Sequence, residues 1–373
     1  MNNLIHVEHV LLSLRPGGLE NGVVNVVNGL DPSAFRSSIC CLQHSGEFAS
    51  RIHHREVTIY EMGLRSGNDI RLPFRLANHF RHTRPDIVHT RNAEAFFYGF
   101  IGAKLAGVPV IVHSEHGRTL PDKRHRMMIQ RWLTNWTDAV FAVSMQLKDD
   151  LVMHLRLPSD EIEVLYNGVN LDRFASRQRA GARKMLGFNE RTFLVGSVGR
   201  LVPVKNYDLL VRAVAGLREA ELILIGDGPE RSSLEMVARA FGVGDRIHLL
   251  GHRDDIEDLL PGLDVFVLPS FSEGMSNTLL EAMAAGVPAV ASNVGGNREL
   301  IRNAIDGFLF ESGDLNSLRR HLERLCNDLE LRLQMGRSAA AHTRDCFSLN
   351  AMIDRYERLY ARCARRCPAG EPN

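Results

Sequence analysis

Short runs of β-branched and other apolar residues alternate with stretches of helical spacing from one end of the chain to the other. In the first half the strand-like runs are Leu4–Val10, Ser37–Leu42, Val57–Tyr60, Asp86–Thr90, Val108–His113, Asp138–Val143 and Ile162–Tyr166. Helical spacing fills most of the intervals: Val23, Val24, Val26, Val27 and Leu30 lie on one face of a helix. The rhythm lapses in a polar, Arg-rich stretch, NGVNLDRFASRQRAGARKMLGFNE, over residues 167–190. It resumes with Thr192–Val198, Leu222–Ile225, Arg246–Leu250, Asp264–Leu268, Ala289–Ala291 and Gly307–Phe310. Met352, Ile353, Tyr356, Leu359, Tyr360 and Cys363 then mark the apolar face of a terminal amphipathic helix. Strand–helix alternation of this kind yields parallel, doubly wound sheets. The pattern predicts an α/β protein with an N-terminal domain over 1–168, a linker over 169–190 and a C-terminal domain over 191–345. The last element, 346–373, is expected to pack on one of the domains, a crossing back to the N-terminal one being an option.

Composition narrows the class. The chain has 373 residues, enough for two domains, and its 45% apolar and 24% charged content excludes a largely disordered protein. Lys and Arg number 45 against 44 Asp and Glu, so no global field points to nucleic acid. Six cysteines without a CxxC or paired-His spacing make neither a disulfide framework nor a zinc site. The sequence shows no signal-peptide pattern at its start and no run of ~18 apolar residues. A cytoplasmic location is expected.

In parallel sheets, ligands bind beyond the carboxyl ends of the strands, so the loops there carry the candidate chemistry. The first strand ends in Arg15-Pro16-Gly17-Gly18, where glycines before a helix suit either a phosphate contact or an ordinary turn. His116, in Glu115-His116-Gly117-Arg118, stands where it could meet a ligand or serve as a hydrogen-bonded structural histidine. Arg200 and Lys205, five apart on one loop, could neutralise a diphosphate or be a solvated basic loop. Gly226-Asp227-Gly228 forms a tight turn on the same edge. The densest stretch is PSFSEGMSNTLLEAMAAGVP, residues 269–288. There Glu273 precedes a helix beginning near Ser276, whose positive end and the N–H groups of Gly274, Met275, Ser276 and Asn277 would hold an anion. Glu281 lies among Leu279, Leu280, Ala282 and Met283, where a carboxylate needs a partner: a sugar diol or an arginine. The segment from Arg118 to Trp132 mixes Arg118, Lys123, Arg124, Arg126 and Arg131 with Met127, Met128, Ile129 and Trp132. It reads either as a charged face over a core stripe or as a helix that docks on an anionic bilayer or a lipid diphosphate.

Glu273 and Glu281 spanning GMSNTLL, the Gly199-Arg200…Lys205 loop, Gly226-Asp227-Gly228-Pro229 and Gly17-Gly18-Leu19-Glu20 resemble retaining glycosyltransferases of family four. The resemblance covers essentially the whole chain. GGLENGVVN, DIVHTRN, EHGR and EGMSNTLLEAMAAG look more narrowly like the exosortase-associated exopolysaccharide sugar transferases. It implies the glycosyltransferase-B fold, two Rossmann-like domains facing each other across a cleft. It further implies a UDP- or GDP-linked sugar donor, a glycan or lipid-linked acceptor, and a hexosyl transfer without a cofactor. No DxD-type acidic cluster lies at a strand end, Asp254-Asp255 reading as a helix start, so no catalytic metal is expected. On that resemblance Glu281 would hold the ribose hydroxyls, Arg200 and Lys205 the diphosphate, and Glu273 with Gly274, Met275, Ser276 and Asn277 the donor sugar. His116 would face the reacting sugar, with Gly17 and Gly18 bordering the phosphates or the acceptor. Arg15-Pro16 ahead of Gly17 departs from the expected pattern at the acceptor edge. An NAD-type oxidoreductase is the alternative, weakened by the lack of GxGxxG; a catalytically silent glycan-binding subunit is another.

Overall fold

The computed structural model describes residues 4–54, 56–65, 69–117, 122–175 and 177–366. The chain divides into two units, Met1–Asn167 with Asn350–Asn373, and Gly168–Leu349. In the first, β1 (Ile5–Leu11), β2 (Phe35–Cys41), β3 (Thr58–Glu61), β4 (Ile87–Arg91), β5 (Val110–Glu115), β6 (Ala139–Ala142) and β7 (Ile162–Val164) form one parallel sheet. Its order is β3-β2-β1-β4-β5-β6-β7. Strand alternation sends neighbours to opposite faces. Val10 joins Leu76, Phe80, Phe96 and Phe100 on one side. Leu11 joins Val23, Val24 and Val27 on the other. Both faces are therefore covered by helices, which is why these strands read as continuous apolar runs.

The helix Leu349–Arg366 belongs, from Asn350 on, to this first unit. Its apolar face, Met352, Ile353, Tyr356, Leu359, Tyr360 and Cys363, is buried throughout. Tyr360 Oη lies 2.7 Å from His89 Nδ1, and Glu357 accepts from the Asp31 amide at 2.8 Å. Arg362 pairs with Glu163. Gly29 permits the approach: a Cβ there would stand 2.0 Å from Ile353 Cδ1.

The second unit repeats the plan with β8 (Phe193–Val198), β9 (Ala220–Ile225), β10 (Ile247–Gly251), β11 (Val265–Leu268), β12 (Ala289–Ser292) and β13 (Gly307–Phe310). Their order is β10-β9-β8-β11-β12-β13, again all parallel. Residues 169–190, expected to be a linker, instead carry the helices Asp172–Ala175 and Arg179–Leu186 and are part of this unit. The reason is electrostatic. The arginines that make the stretch look solvated are ion-pair partners of the domain. Arg173 reaches Glu257 and Arg177 reaches Asp258, each at 2.7 Å. Buried Asp264 takes Arg179 at 2.8 Å, the buried Arg183, and the Leu194 amide at 2.7 Å. Val169 also hydrogen-bonds Phe347 O and the Leu349 amide, tying together the two stretches at which the chain enters and leaves the unit.

Each sheet has one place where the chain reverses its direction of winding. In the first it lies between β1 and β4, in the second between β8 and β11. Loops leaving adjacent strands there part to opposite faces and open a crevice.

Candidate functional site

In the second unit the crevice joins the loops after β8 and β11, linked by the Phe271 amide donating to Val204 O at 2.8 Å. Lys205 comes from the first loop and Glu273 from the second. Lys205 Nζ donates to Glu273 Oε1 at 2.6 Å, and Ser270 Oγ donates to the same oxygen at 2.5 Å. Both side chains are mostly buried, 20% and 11% exposed, so the pair is poorly screened. Two residues read from the sequence as separate contacts, one for phosphate and one for sugar, are thus brought into one ion pair. Arg200 is exposed and makes no ion pair among the described residues.

The glycine turns have a packing reason. Gly226 has φ +137, and a Cβ on it would stand 2.0 Å from Gly199 O. On Gly228 it would stand 2.4 Å from Leu201 O. Leu201 and Asp227 complete the contact, amide to carbonyl, at 2.9 Å. Gly226, Asp227 and Gly228 therefore hold the Arg200–Lys205 loop in place, and the Asp227 carboxylate accepts from the Gly228 amide at 2.8 Å.

Ser276 caps the helix Asn277–Ala284, its Oγ accepting from the Leu279 amide. Met275 and Ser276 are buried, and Gly274 O accepts from the Gly296 amide at 2.8 Å. A Cβ on Gly295, φ +52, would lie 1.9 Å from Glu273 O. Gly295 and Gly296 escaped the sequence reading, although a Gly-Gly pair just after an apolar strand was the available signal. Glu281 lies half-buried on this helix, whose Leu279, Leu280, Ala282 and Met283 are buried.

In the first unit, Gly17 caps the helix Gly18–Gly29 after β1. A Cβ on Gly17 would strike the Glu20 carboxylate at 2.2 Å. The adjacent strands bring His116, Arg91 and Asn92 to the same edge. The His116 amide donates to Asn92 Oδ1 at 2.9 Å, and Asn92 adopts φ +62 to start the helix Asn92–Ala106. His116 Nε2 lies 3.2 Å from Arg91 Nη1 and 2.9 Å from Ser114 Oγ. Burial first, then Arg91 and His113, holds the imidazole well below its ordinary pKa. Arg91 and Asn92 were not singled out from the sequence. Their signal is the polar run His89-Thr90-Arg91-Asn92 ending an apolar strand.

Arg118 and residues 119–121 lie outside the described residues. The helix Arg124–Thr134 that follows buries Gln130, Leu133 and Thr134, leaving Met128 71% and Trp132 59% exposed. Its Met128, Ile129 and Trp132 are therefore no core stripe. Trp136 is exposed beside them. Among the described residues, one grouping of metal-type ligands occurs, Glu8, Cys40 and His79. It is already closed by a 2.5 Å bond from Glu8 Oε1 to His79 Nε2, with Thr83 Oγ1 donating to Glu8 Oε2 at 2.8 Å.

Residues 178–342 match the family model described as glycosyl transferases group 1, and residues 16–173 match glycosyltransferase family 4. The chain is 33% identical over 290 residues to UDP-Gal:alpha-D-GlcNAc-diphosphoundecaprenol alpha-1,3-galactosyltransferase of Escherichia coli, covering 74% of this chain and 75% of that one. It is 28% identical over 320 residues to N-acetyl-alpha-D-glucosaminyl L-malate synthase of Bacillus anthracis, covering 83% and 84%. Anabaena Alr3699/HepE in complex with UDP and glucose shares the fold with a TM-score of 0.85 at 22% identity, over 96% of this chain and all of that one. A glycosyltransferase from Rickettsia africae ESF-5 does so with a TM-score of 0.85 at 20% identity, over 97% and 99%. With two Rossmann-like parallel sheets and with both halves matched in the same order, the chain belongs to the family 4, group 1 glycosyltransferases of the glycosyltransferase-B fold.

Proposed function

We propose that the protein transfers a hexose from a nucleotide-sugar to a lipid-linked or glycan acceptor, with retention at the anomeric carbon. The observation that carries this reading is the Lys205–Glu273 pair at the winding reversal of the second sheet, with Arg200 exposed on the same loop. When the bond from sugar to diphosphate breaks, its electron pair stays with the phosphate oxygen. Fixed positive charge and N–H donors placed there stabilise that state more than the bound donor. Arg200 and Lys205 supply the charge, Gly274–Asn277 the N–H groups, and no metal is invoked. Glu273, already shared between Lys205 and Ser270, is set to accept from sugar hydroxyls, and Glu281 from the ribose. Within the first unit, His116 after β5 and Gly17 and Gly18 after β1 are the groups assigned to sugar or acceptor contact. The UDP-galactose in the Escherichia coli relative's name and the UDP in the Anabaena complex favour UDP over GDP.

The diphosphoundecaprenol named for the same relative supports a lipid-linked acceptor and a part in exopolysaccharide or other cell-surface polysaccharide assembly at the inner face of the cytoplasmic membrane. Among the described residues no helix is long and apolar enough to cross a membrane. Peripheral contact is supported by exposed Met128, Ile129, Trp132 and Trp136 among exposed Arg124, Arg126 and Arg131. Indole rings suit the bilayer interface and arginines its anionic lipids.

Thermal shift with UDP-, GDP-, ADP- and dTDP-linked sugars and the free nucleotides tests the donor. Saturating UDP or a UDP-sugar at a hundredfold over Kd should add ~2.7 kcal/mol; no stabilisation by any of them would overturn the reading. Sedimentation with vesicles tests the surface. Wild type should bind phosphatidylglycerol vesicles and Trp132→Ser should bind them less, with an unchanged melting temperature. Equal binding by both proteins counts against a membrane role for this helix.

A further inference from the structure

We propose that Arg91 is a positioning residue which, with the C-terminal helix, fixes His116 as a neutral imidazole carrying its proton on Nδ1. His116 then offers a ligand an N–H donor and not a base. The inference rests on the reading of His116 as the sugar-facing group of the first unit.

A guanidinium can only donate, and it stays charged. Arg91 Nη1 stands 3.2 Å from His116 Nε2, so that nitrogen must present its lone pair. The rest of the network agrees. Tyr360 Oη is 2.7 Å from His89 Nδ1, His89 Nε2 is 3.0 Å from Ser114 Oγ, and Ser114 Oγ is 2.9 Å from His116 Nε2. Each bond needs one donor and one acceptor, and Ser114 Oγ can donate once but accept twice, which leaves three arrangements of the chain. In one, Tyr360 donates to His89, His89 to Ser114 and Ser114 to His116, sharing the Nε2 lone pair with Arg91. The other two, in which Ser114 donates to His89 or accepts from both rings, would place a proton on His116 Nε2, pointing at the N–H of Arg91. Arg91 breaks the tie. The Tyr360 phenol is pushed well above its ordinary pKa by burial, so it keeps the proton it donates.

Among the described residues, Arg91 is itself held without a counter-charge. Its side chain is buried, and no carboxylate pairs with it among the described residues. The remaining Nη1 proton goes to Tyr356 Oη at 3.1 Å, Nη2 faces His9 Nδ1 at 3.2 Å, and Nε has no partner. A buried cation without an anion is unfavourable, and packing alone gives no reason for one. Among the described residues, the groups facing His116 are Arg91 and His89 on β4 and His113 and Ser114 on β5, with His9 on β1 and Tyr356 and Tyr360 on the C-terminal helix bonded to Arg91 or His89. None of these brings a negative charge. Glu115 is turned to Gln130 at 2.6 Å and His113 at 3.4 Å. His116 Nδ1 bonds to nothing among the described residues, so its N–H is available.

The test is imidazole NMR on the full chain labelled with 15N-histidine, with the His116 signals assigned by their loss in His116→Gln. No nucleotide-sugar is added, so the result stands whether or not the protein proves to be a transferase of the kind proposed. Wild type should show a protonated Nδ1 and a bare Nε2, unchanged from pH 8 to about pH 5. In Arg91→Met the tautomers should mix, and His116 should titrate toward the ordinary value of about 6.5. A wild-type Nε2–H, a wild-type midpoint near that value, or an Arg91→Met protein whose His116 is unmoved would each overturn the proposal. Should Arg91→Met fail to fold, the wild-type tautomer and titration still decide.

Discussion

Lys205 is the residue on which charge placement can be tested most directly. In the structure it neutralises Glu273, and in the proposed reaction it must also meet the growing charge of the departing diphosphate. Lys205→Ala should lower kcat by roughly 10²–10³-fold, the range for losing one donor to a developing oxyanion, with little change in the donor KM. Steady-state kinetics with a saturating acceptor separate the two; a loss confined to KM would show that Lys205 only binds. Glu281 belongs to the ground state instead. Glu281→Gln should weaken donor binding by about 1–3 kcal/mol while leaving the fold intact, since Gln keeps the volume and one acceptor. A 2′-deoxyribose donor discriminates: wild type should disfavour it clearly and the Gln variant less. Equal preference in both proteins would mean that Glu281 does not touch the diol.

At the scale of elements, the loops after β8 and β9 behave as one body. Gly226 is where they meet, with both a left-handed φ and no room for a Cβ. Gly226→Ala should therefore cost about 1–3 kcal/mol, the range for a strained backbone position. It should also lower turnover, because the displaced loop carries Arg200 and Lys205. Denaturant unfolding alongside kinetics checks this; an active variant of wild-type stability would show the two loops to be independent. The helix Asn277–Ala284 is placed by the same logic. Its buried face fixes it on the sheet, and its Ser276 cap accepts from the Leu279 amide, so its N-terminus stands at the end of β11.

At the scale of the whole molecule, the first unit encloses histidines that the fold keeps uncharged. Burial first, then Arg91, holds His9 and His89 well below their ordinary pKa. The unfolded chain binds protons at these sites below about pH 6.5 while the native chain does not, so native stability is full above that value and falls as the pH drops. Each histidine should remove about 1.4 kcal/mol per pH unit once the pH is well below 6.5. Unfolding followed at pH 7, 6 and 5 should show the midpoint falling, and Tyr360→Phe, which strips His89 of its donor, should alter that slope. A flat profile would mean that these rings are protonated in the native state.

The thirteen strands of the described residues and the doubly wound arrangement were legible in the sequence, because strands buried on both faces must be continuously apolar and each spans only a few residues. Residues at strand ends were legible too, since glycine, charge and helix starts are local. Tertiary structure alone decided who meets whom. Nothing local says that Lys205 and Glu273, 68 positions apart, share one bond. The same holds for Arg179 and Arg183, which turn a polar stretch into part of a domain by closing on Asp264. Tyr356 and Tyr360 show a helical stripe in the sequence, yet only folding brings their hydroxyls to Arg91 and His89. Hydrophobic periodicity is written in neighbours along the chain, whereas ion pairs and hydrogen-bond direction depend on distance in space, which the order of strands in the sheet sets.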